Sequence, residues 1–227
     1  LIIPFLCSMG LSYAEENYLK AILKLSGSPD GTVSTNAIAA QLDTSAASVT
    51  DMLKKLSDKE LITYQRYKGA SLTDDGQRIA TTLVRKHRLW EVFLVQSLGM
   101  TWDEVHEIAE ELEHIQSDRL IDRLDLFLGH PKFDPHGDPI PNAQGKYTLR
   151  AQVPLSELKP GQEGIVIGVR EDETSFLKHL NEKGLTLGKA IKVITNDDYD
   201  NTLSLQVEGH ELNLSGKVAR NIMIKTT

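Results

Sequence analysis

The hydrophobic periodicity of this chain changes once, and the change divides it into a helical part and a sheet part. Up to about residue 128 the apolar side chains recur every three or four positions, as on one face of a helix. Residues 129–147 are rich in proline and glycine, which is typical of a linker. Beyond them come short apolar runs divided by turns, with one helical segment over 175–183. The pattern predicts a mainly α chain with a small C-terminal β-barrel.

Length and composition exclude several classes of protein. No apolar run in the 227 residues approaches the about 20 residues that a transmembrane helix needs. Cys7 is the only cysteine, which excludes an internal disulfide framework and favours a reducing compartment. We therefore expect a cytoplasmic protein with no membrane partner. Met9 is the expected natural start, with residues 1–8 as an extension, and a lipid anchor on Cys7 is the alternative.

Two short helical patterns separated by a tight turn predict a helix-turn-helix motif. Ser34 or Thr35 caps the first, and Ser45 caps the second. Residues 61–73 then predict a hairpin with a basic tip, which makes the motif a winged helix. Although the net charge of the chain is −7, residues 43–88 carry nine cationic against six anionic side chains. This local excess of positive charge favours a surface that binds DNA phosphates.

The predicted DNA contacts lie on the exposed face of the second helix or at the hairpin tip. They are Ser45, Ala47, Ser48, Thr50, Lys54, Arg66 and Lys68. No arginine occupies the exposed face of the predicted recognition helix, so we expect few direct contacts to guanine and more dependence on thymine methyl groups and DNA shape. The alternative is a plain helical bundle, but a hairpin directly after the two helices argues against it.

A segment near the middle of the chain carries imidazole and carboxylate side chains at helical spacing. The donors are His106, Glu110, Glu113 and His114, preceded upstream by His87 and Glu91. Carboxylates stacked along one helix face repel each other, and a divalent cation would offset that repulsion. Donors of this kind without a thiolate suit Mn²⁺, Fe²⁺ or Zn²⁺, and the number of carboxylates favours Mn²⁺. A solvated helix face is the other interpretation of the pattern.

Several short motifs, taken in order, resemble those of one known family. They are the sequences at 16–22, 48–50, 85–89, 110–114 and 136–141. Together they resemble the diphtheria-toxin-repressor and manganese-transport-regulator family, and residues 158–188 are similar to the FeoA-like, Src-homology-3-like barrel that many members append. The resemblance implies a winged helix-turn-helix DNA-binding domain over 9–74, a helical metal-binding and dimerisation domain over 75–142, and a FeoA-like small β-barrel over 147–227.

The resemblance implies a homodimeric, metal-dependent transcriptional regulator, which represses metal-uptake genes by binding a double-stranded operator, and not an enzyme. In such proteins metal links the first helix, the long fourth helix and the dimer helix. We expect this link to set the spacing of the two recognition helices to half-sites about one helical turn apart. Glu110 stands where iron-selective members carry a cysteine, which favours Mn²⁺, with Fe²⁺ as the alternative. Other divalent ions are expected to substitute in vitro.

The resemblance also implies two groups of metal ligands. The primary site would comprise Glu110, Glu113, His114, His87 and Asn17. The second would draw on His87 or Glu91, His106, Asp134, His136 and, from the barrel, Asp172. Asn17 can coordinate only through a neutral carbonyl, and Lys20 falls where some manganese-dependent members have a further glutamate. Asp134 and His136 have a second interpretation as caps of a turn.

Two other functions remain open from the sequence. A metallohydrolase could use Glu110, Glu113 and His114, but no nucleophile motif, phosphate-cradling loop or zincin motif accompanies them. A regulator that binds an organic ligand in a helical pocket is the third hypothesis. Metal titration followed by the fluorescence of Trp90 and Trp102 would separate it from a metal sensor.

Overall fold

A computed structural model describes residues 10–27, 31–197 and 199–226, so the expectations for Cys7 and Met9 lie outside the described residues. Its helices are α1 Tyr13–Ser26, α2 Thr35–Gln41, α3 Ala46–Asp58, α4 Asp74–Leu98, α5 Val105–Leu112, α6 Asp118–Phe127, α7 Thr174–Glu182 and α8 Gly216–Arg220. Its strands are β1 Ile62–Gln65, β2 Gly69–Leu72, β3 Val153–Pro154, β4 Glu163–Val169, β5 Ala190–Asn196, β6 Leu203–Val207, β7 His210–Leu214 and β8 Ile222–Thr226. Within these ranges, none of the helices has both the length and the hydropathy that a bilayer crossing requires.

The chain forms two compact units. The first unit contains the residues up to Lys86, together with 113–116 and 141–146, and the second unit contains the remainder. The first unit is built on α1, α2, α3 and the β1–β2 hairpin, around buried side chains that include Leu19, Ile22, Leu53 and Leu56. Burial of each such side chain stabilises the fold by about 2 kcal/mol. The predicted winged helix-turn-helix is confirmed.

Polar contacts fix the beginning of α1. Ser12 caps the helix and forms a reciprocal capping box with Glu15. The Glu15 carboxylate also lies 2.5 Å from Lys59 Nζ and 3.3 Å from Lys55 Nζ. Burial by itself raises the pKa of Glu15, but the bonds from Lys59, Ser12 and Lys55 outweigh burial and lower that pKa to about 2. These contacts hold α1 against the end of the recognition helix α3.

The hairpin after α3 has its basic residues at the tip. Strands β1 and β2 pair in antiparallel register, with Gln65 opposite Gly69. Val33 bridges to Ala70 and extends the small sheet beside α2. Residues 66–68 form the turn, in which Tyr67 adopts a positive φ of 68°. The hairpin therefore projects Arg66 and Lys68 as exposed side chains.

The C-terminal part of the second unit is an antiparallel sheet in the order β3-β8-β4-β5-β6-β7. The predicted strands and the helix over 175–183 are confirmed to within a few residues. The predicted barrel needs a correction, because β3 and β7 are the open edges of the sheet within the described part of the chain. Strand β3 has only two residues, and Pro154 has no N–H to donate to a further neighbour.

Spacing predicts one helical stripe from His106 to His114, but helix α5 covers only Val105–Leu112. Helix α5 begins at Val105, because Trp102 and Asp103 instead bind Asn181 of the sheet domain. Trp102 Nε1 donates to Asn181 Oδ1 at 2.7 Å, and Asn181 Nδ2 donates to Asp103 Oδ1 at 2.9 Å. The helix ends at Leu112, so His114 is not part of the helical stripe that spacing alone predicted.

Candidate metal centre and nucleic-acid interface

Helices α4 and α5 bring four predicted ligands together in the second unit. His87 and Glu91 lie one turn apart on α4, while His106 and Glu110 lie one turn apart on α5. The Glu91 carboxylate is 1% exposed and accepts from the imidazoles, with Oε1 3.0 Å from His87 Nε2 and 3.4 Å from His106 Nδ1. The two imidazole nitrogens lie 3.2 Å apart. Three donor atoms from two helices therefore converge on one point.

The spacing of these three atoms fits one divalent cation. Neighbouring ligands of an octahedral ion with bonds of about 2.2 Å lie about 3.1 Å apart. Glu110 Oε1 faces the other nitrogens of the same rings, 3.7 Å from His106 Nε2 and 4.0 Å from His87 Nδ1. The two rings thus lie between two carboxylates. The donor set of imidazoles and carboxylates without a thiolate suits Mn²⁺ or Fe²⁺.

Glu91 is held in its anionic form. Burial alone raises the pKa of this carboxyl, but hydrogen bonds from His106, His136 and His87 outweigh burial and keep the pKa well below its usual range. A buried carboxylate surrounded by three imidazoles is a strong local negative charge. Glu91 is therefore an anionic oxygen donor that a cation could bind.

His136 reaches the same carboxylate from the linker. Its Nδ1 lies 3.5 Å from Glu91 Oε1, and its Nε2 lies 2.7 Å from the carbonyl oxygen of Trp102. Because a carbonyl oxygen only accepts, Nε2 carries a hydrogen and donates a hydrogen bond to the Trp102 carbonyl oxygen. Burial lowers the pKa of His136, but the Glu91 and Asp134 carboxylates raise it to about 9. The hydrogen bond to the Trp102 carbonyl orients the ring so that Nδ1 points towards Glu91. Metal-binding histidines are commonly oriented in this way by a hydrogen bond from the ring nitrogen that does not bind the metal.

Asp134 lies within 4.8 Å of the Glu91 and His136 donor atoms, yet its own oxygens have other partners. Oδ1 accepts from the backbone amides of His136 and Asp138, each at 2.9 Å, and Oδ2 lies 3.3 Å from Arg88 Nε. Burial and the Glu91 charge raise the pKa of Asp134 to about 7. The turn-capping interpretation therefore describes the contacts of Asp134, whereas His136 is directed at Glu91.

The linker turn that carries His136 is fastened to the sheet. The Val169 amide donates to the His136 carbonyl at 2.9 Å. Arg150 donates to the carbonyls of Gly137 and Ile167, and its guanidinium lies 3.8 Å above the Phe133 ring. The sheet domain therefore contributes to the position of a candidate ligand.

A substitution at Gly137 tests whether the contact between the linker turn and the sheet stabilises the second unit. Its φ is +89°, and a Cβ at this position would collide with the Ile167 carbonyl oxygen. We expect Gly137→Ala to destabilise the second unit by about 2–3 kcal/mol, measured by chemical denaturation. Gly188→Ala is the matched control, because φ there is +86° and no atom of the described residues lies within 4 Å of the added Cβ. Equal losses in the two variants would contradict the role assigned to the Ile167 contact.

The remaining residues of the predicted primary site lie in the first unit. Glu113 is fully buried, and His114 Nε2 lies 4.0 Å from Glu113 Oε1. His114 Nδ1 lies 2.6 Å from Glu16 Oε2, and Gln116 donates to Glu16 Oε1 at 2.8 Å. The ring of Tyr13 stacks on His114 at 4.4 Å. These contacts fix the His114 ring with Nε2 on the side of Glu113.

Sequence reasoning missed Glu16, which is 98 positions from His114. The available signal in the sequence was a pair of consecutive glutamates near the start of α1, and the structure shows that both are buried. Asn17 lies beside Glu16, and its buried Oδ1 has no hydrogen-bond partner among the residues that the structure describes. An orphaned carbonyl oxygen fits the neutral-ligand role expected for Asn17. Lys20, one turn further on, lies 2.5 Å from Glu113 Oε2.

Asp172 is in the loop between β4 and α7. Among the described residues, neither group of converging donors includes Asp172, Glu113 or His114. The two groups that do converge are His87, His106 and Glu110, and Glu91, Asp134 and His136.

The predicted DNA contacts lie on an accessible face of the first unit. Six of the seven are exposed and Thr50 is half-buried. Several bind neighbours on their own helix: Ser45 Oγ lies 2.9 Å from Ser48 Oγ, and Thr50 Oγ1 donates to the Ala46 carbonyl at 2.8 Å. Lys54 Nζ lies 3.1 Å from Asp51. These polar groups would exchange local partners for DNA.

Tyr67 is a further candidate that the sequence analysis did not single out. It is 91% exposed at the hairpin tip, with the Arg66 guanidinium 5.0 Å above its ring. An aromatic residue between two cations in a predicted turn was the available signal. The Tyr67 ring therefore contacts one of the two exposed cations of the hairpin tip.

Three family models match successive parts of the chain. They are the iron-dependent repressor N-terminal DNA-binding domain over 10–70, the iron-dependent repressor metal-binding and dimerisation domain over 73–142, and the FeoA domain over 153–226. The diphtheria toxin repressor of Corynebacterium jeikeium is 32% identical over 151 residues, which are 66% of this chain and 61% of that protein. The chain thus spans about three fifths of this curated relative.

Solved structures are similar over nearly the whole chain. A manganese-dependent transcriptional repressor in complex with manganese has 33% sequence identity and a TM-score of 0.81, covering 94% of this chain and 100% of that one. The repressor ScaR with bound Cd²⁺ has 38% identity and a TM-score of 0.74, covering 94% of this chain and 99% of that one. The similarity extends through the sheet domain as well as the helical part.

Proposed function

Because the chain belongs to the iron-dependent repressor family, which includes the diphtheria toxin repressor, we propose that it is a divalent-metal-dependent repressor that binds operator DNA. The observation that carries the proposal is the convergence of Glu91, His87 and His106 at mutual distances of 3.0–3.4 Å. Repression of metal-uptake genes follows as the output, since a metal-activated repressor of uptake limits the metal that activates it. The cytoplasm, where operator DNA is accessible, is the proposed location.

Mn²⁺ is the proposed cofactor, with Fe²⁺ as the alternative. The converging donors are carboxylate oxygens and imidazole nitrogens, and such donors suit Mn²⁺ when no thiolate is present. The manganese complex of a similar repressor and the Cd²⁺ complex of ScaR support a site that accepts several divalent ions. A bound dication supplies positive charge that neutralises the converging carboxylates and joins segments distant in sequence.

We assign the metal ligands to two groups. His87, Glu91, His106, Glu110 and His136 form the group in the second unit. Glu113, His114 and Asn17 form the group in the first unit. Asp134 orients His136 through the turn and pairs with Arg88, so we propose a positioning role for it. Asp172 remains a proposed ligand whose contribution needs its own variant.

DNA is proposed to bind at α3 and the hairpin tip, through Ser45, Ala47, Ser48, Thr50, Lys54, Arg66 and Lys68. The proposed domain boundaries are 9–74, 75–142 and 147–227, and the family matches over 10–70, 73–142 and 153–226 support them. A repressor needs no hydrolytic centre, and neither the family nor its relatives support the metallohydrolase alternative.

We propose that the protein forms a homodimer through the helical domain over 75–142. Four large apolar side chains there are substantially exposed: Leu98, Leu120, Leu126 and Phe127. Exposed apolar groups of this size favour association with a partner surface. Two-fold symmetry would then present two recognition helices to a two-fold-symmetric operator.

The experiment starts from double-stranded DNA selected from a randomised pool of about 30 bp, roughly three helical turns, in the presence of Mn²⁺. We expect the selected duplex to bind about 100-fold more tightly with Mn²⁺ than with chelator. Anisotropy titration at fixed ionic strength measures both affinities. Equal affinities, or a pool that yields no enriched sequence, would rule out the proposed function.

A further inference from the structure

We infer that Lys20 limits the affinity of the Glu113–His114 pair for divalent cations, because its ammonium group holds one oxygen of the Glu113 carboxylate. The inference rests on the proposed function, since it concerns one of the two proposed ligand groups. It makes Lys20 a residue that sets the metal concentration at which this pair is filled.

The contact between the two side chains is close and largely buried. Lys20 Nζ lies 2.5 Å from Glu113 Oε2, and the side chains are 18% and 0% exposed. A carboxylate without solvent contact requires a compensating charge, and removal of one partner from such a pair is costly. Lys20 is therefore a cation that balances the Glu113 carboxylate.

The second oxygen of Glu113 has a different environment. Oε1 lies 4.0 Å from His114 Nε2. The other ring nitrogen of His114, Nδ1, is hydrogen-bonded to Glu16. Asn17 belongs to the same unit, and no described residue donates a hydrogen bond to its buried Oδ1. The first unit thus offers an oxygen, a nitrogen and a neutral carbonyl as donors, with an ammonium group on the remaining carboxylate oxygen.

A dication that binds Glu113 meets this ammonium in either of two ways. If Lys20 stays on Oε2, it repels the dication at short range. If Lys20 leaves, the buried ion pair is lost. Both routes lower the affinity, and Asn17 adds no negative charge to compensate. The flexible four-carbon stem can reach solvent, so Lys20 weakens the site without closing it.

The test follows one ligand atom directly. The full ¹⁵N-labelled chain is titrated with Cd²⁺, a diamagnetic ion, and the ¹⁵N resonance of His114 Nε2 reports coordination at this pair alone. We expect Lys20→Met to move the midpoint to about 10-fold lower free Cd²⁺. Lys20→Arg keeps the charge and should retain the original midpoint. Lys24→Met, an exposed position one turn further along α1, is the matched control and should leave the midpoint unchanged.

A second neutral variant, Lys20→Gln, keeps a hydrogen-bond donor and should shift the midpoint in the same direction if Lys20→Met folds poorly. An unchanged or higher midpoint in the folded neutral variants overturns the inference. A His114 resonance that never responds to Cd²⁺ overturns it too, yet leaves the proposed function standing if DNA binding still requires Mn²⁺. Loss of the metal requirement for DNA binding instead counts against the proposed function itself.

Discussion

Glu91→Gln is expected to abolish the response of DNA binding to Mn²⁺. The Glu91 carboxylate is the charge on which His87, His106 and His136 converge, and it is 1% exposed. Gln keeps the shape but removes the negative charge and places an amide where the ligand oxygen was. We expect the DNA affinity with Mn²⁺ to fall about 100-fold, to the value measured with chelator. Anisotropy with the selected duplex measures the affinity, and electron paramagnetic resonance of free Mn²⁺ counts the ions bound.

Glu111→Gln is the matched control for this variant. Glu111 is exposed on α5. Its replacement by Gln removes the same charge as Glu91→Gln at a position outside the group of converging donors. Its affinity should stay within about twofold of the original. Circular dichroism of both variants separates loss of metal from loss of folding. A folded Glu91→Gln protein with an unchanged Mn²⁺ response would show that the proposed centre is not the sensor.

Removal of both cations at the hairpin tip is expected to weaken DNA binding by about 10- to 100-fold. Arg66 and Lys68 are exposed, and the turn that holds them follows directly from the pairing of β1 with β2. The double variant Arg66→Ala/Lys68→Ala should also reduce the slope of log affinity against log salt by about 1.8, because two phosphate contacts are lost. Titrations at several salt concentrations with saturating Mn²⁺ measure both quantities.

Lys178→Ala/Lys217→Ala removes the same charge from exposed positions of the sheet domain. Its salt slope should match that of the unmodified chain. Bound Mn²⁺ should be unchanged in both double variants, since neither touches a candidate ligand. If the two double variants reduce the slope equally, net charge rather than the hairpin tip governs DNA affinity.

The elements of the fold were predictable because each depends on short-range patterns. Apolar residues at steps of three and four predicted the helices of the first 128 residues, and short apolar runs divided by turns predicted the strands β4–β8. Ser45 was the predicted cap of α3, and Ser34, one of the two residues predicted as the cap of α2, is the one that caps it. The open edges of the sheet were not predictable, because closure depends on how far β3 and β7 extend and what they face.

The pairings within the candidate site were predictable only in part. His87 with Glu91 and His106 with Glu110 follow from helical spacing, because residues four apart share a face. The beginning of α5 at Val105 was missed, since Trp102 and Asp103 bind Asn181, which is 79 and 78 positions away from them in the sequence. Periodicity gives no information about a competitor that distant.

The sequence by itself determined which side chains could bind metal or DNA and which local elements carry them, because spacing along one helix or hairpin settles which residues share a face. The tertiary structure alone decided the partners: Glu16 for His114, Lys20 for Glu113, and Arg88 with the turn amides for Asp134. The physical reason is that a charged group placed in the interior must find compensation among whatever the packing brings near it. Those neighbours come from distant parts of the chain, so the local sequence pattern does not predict them.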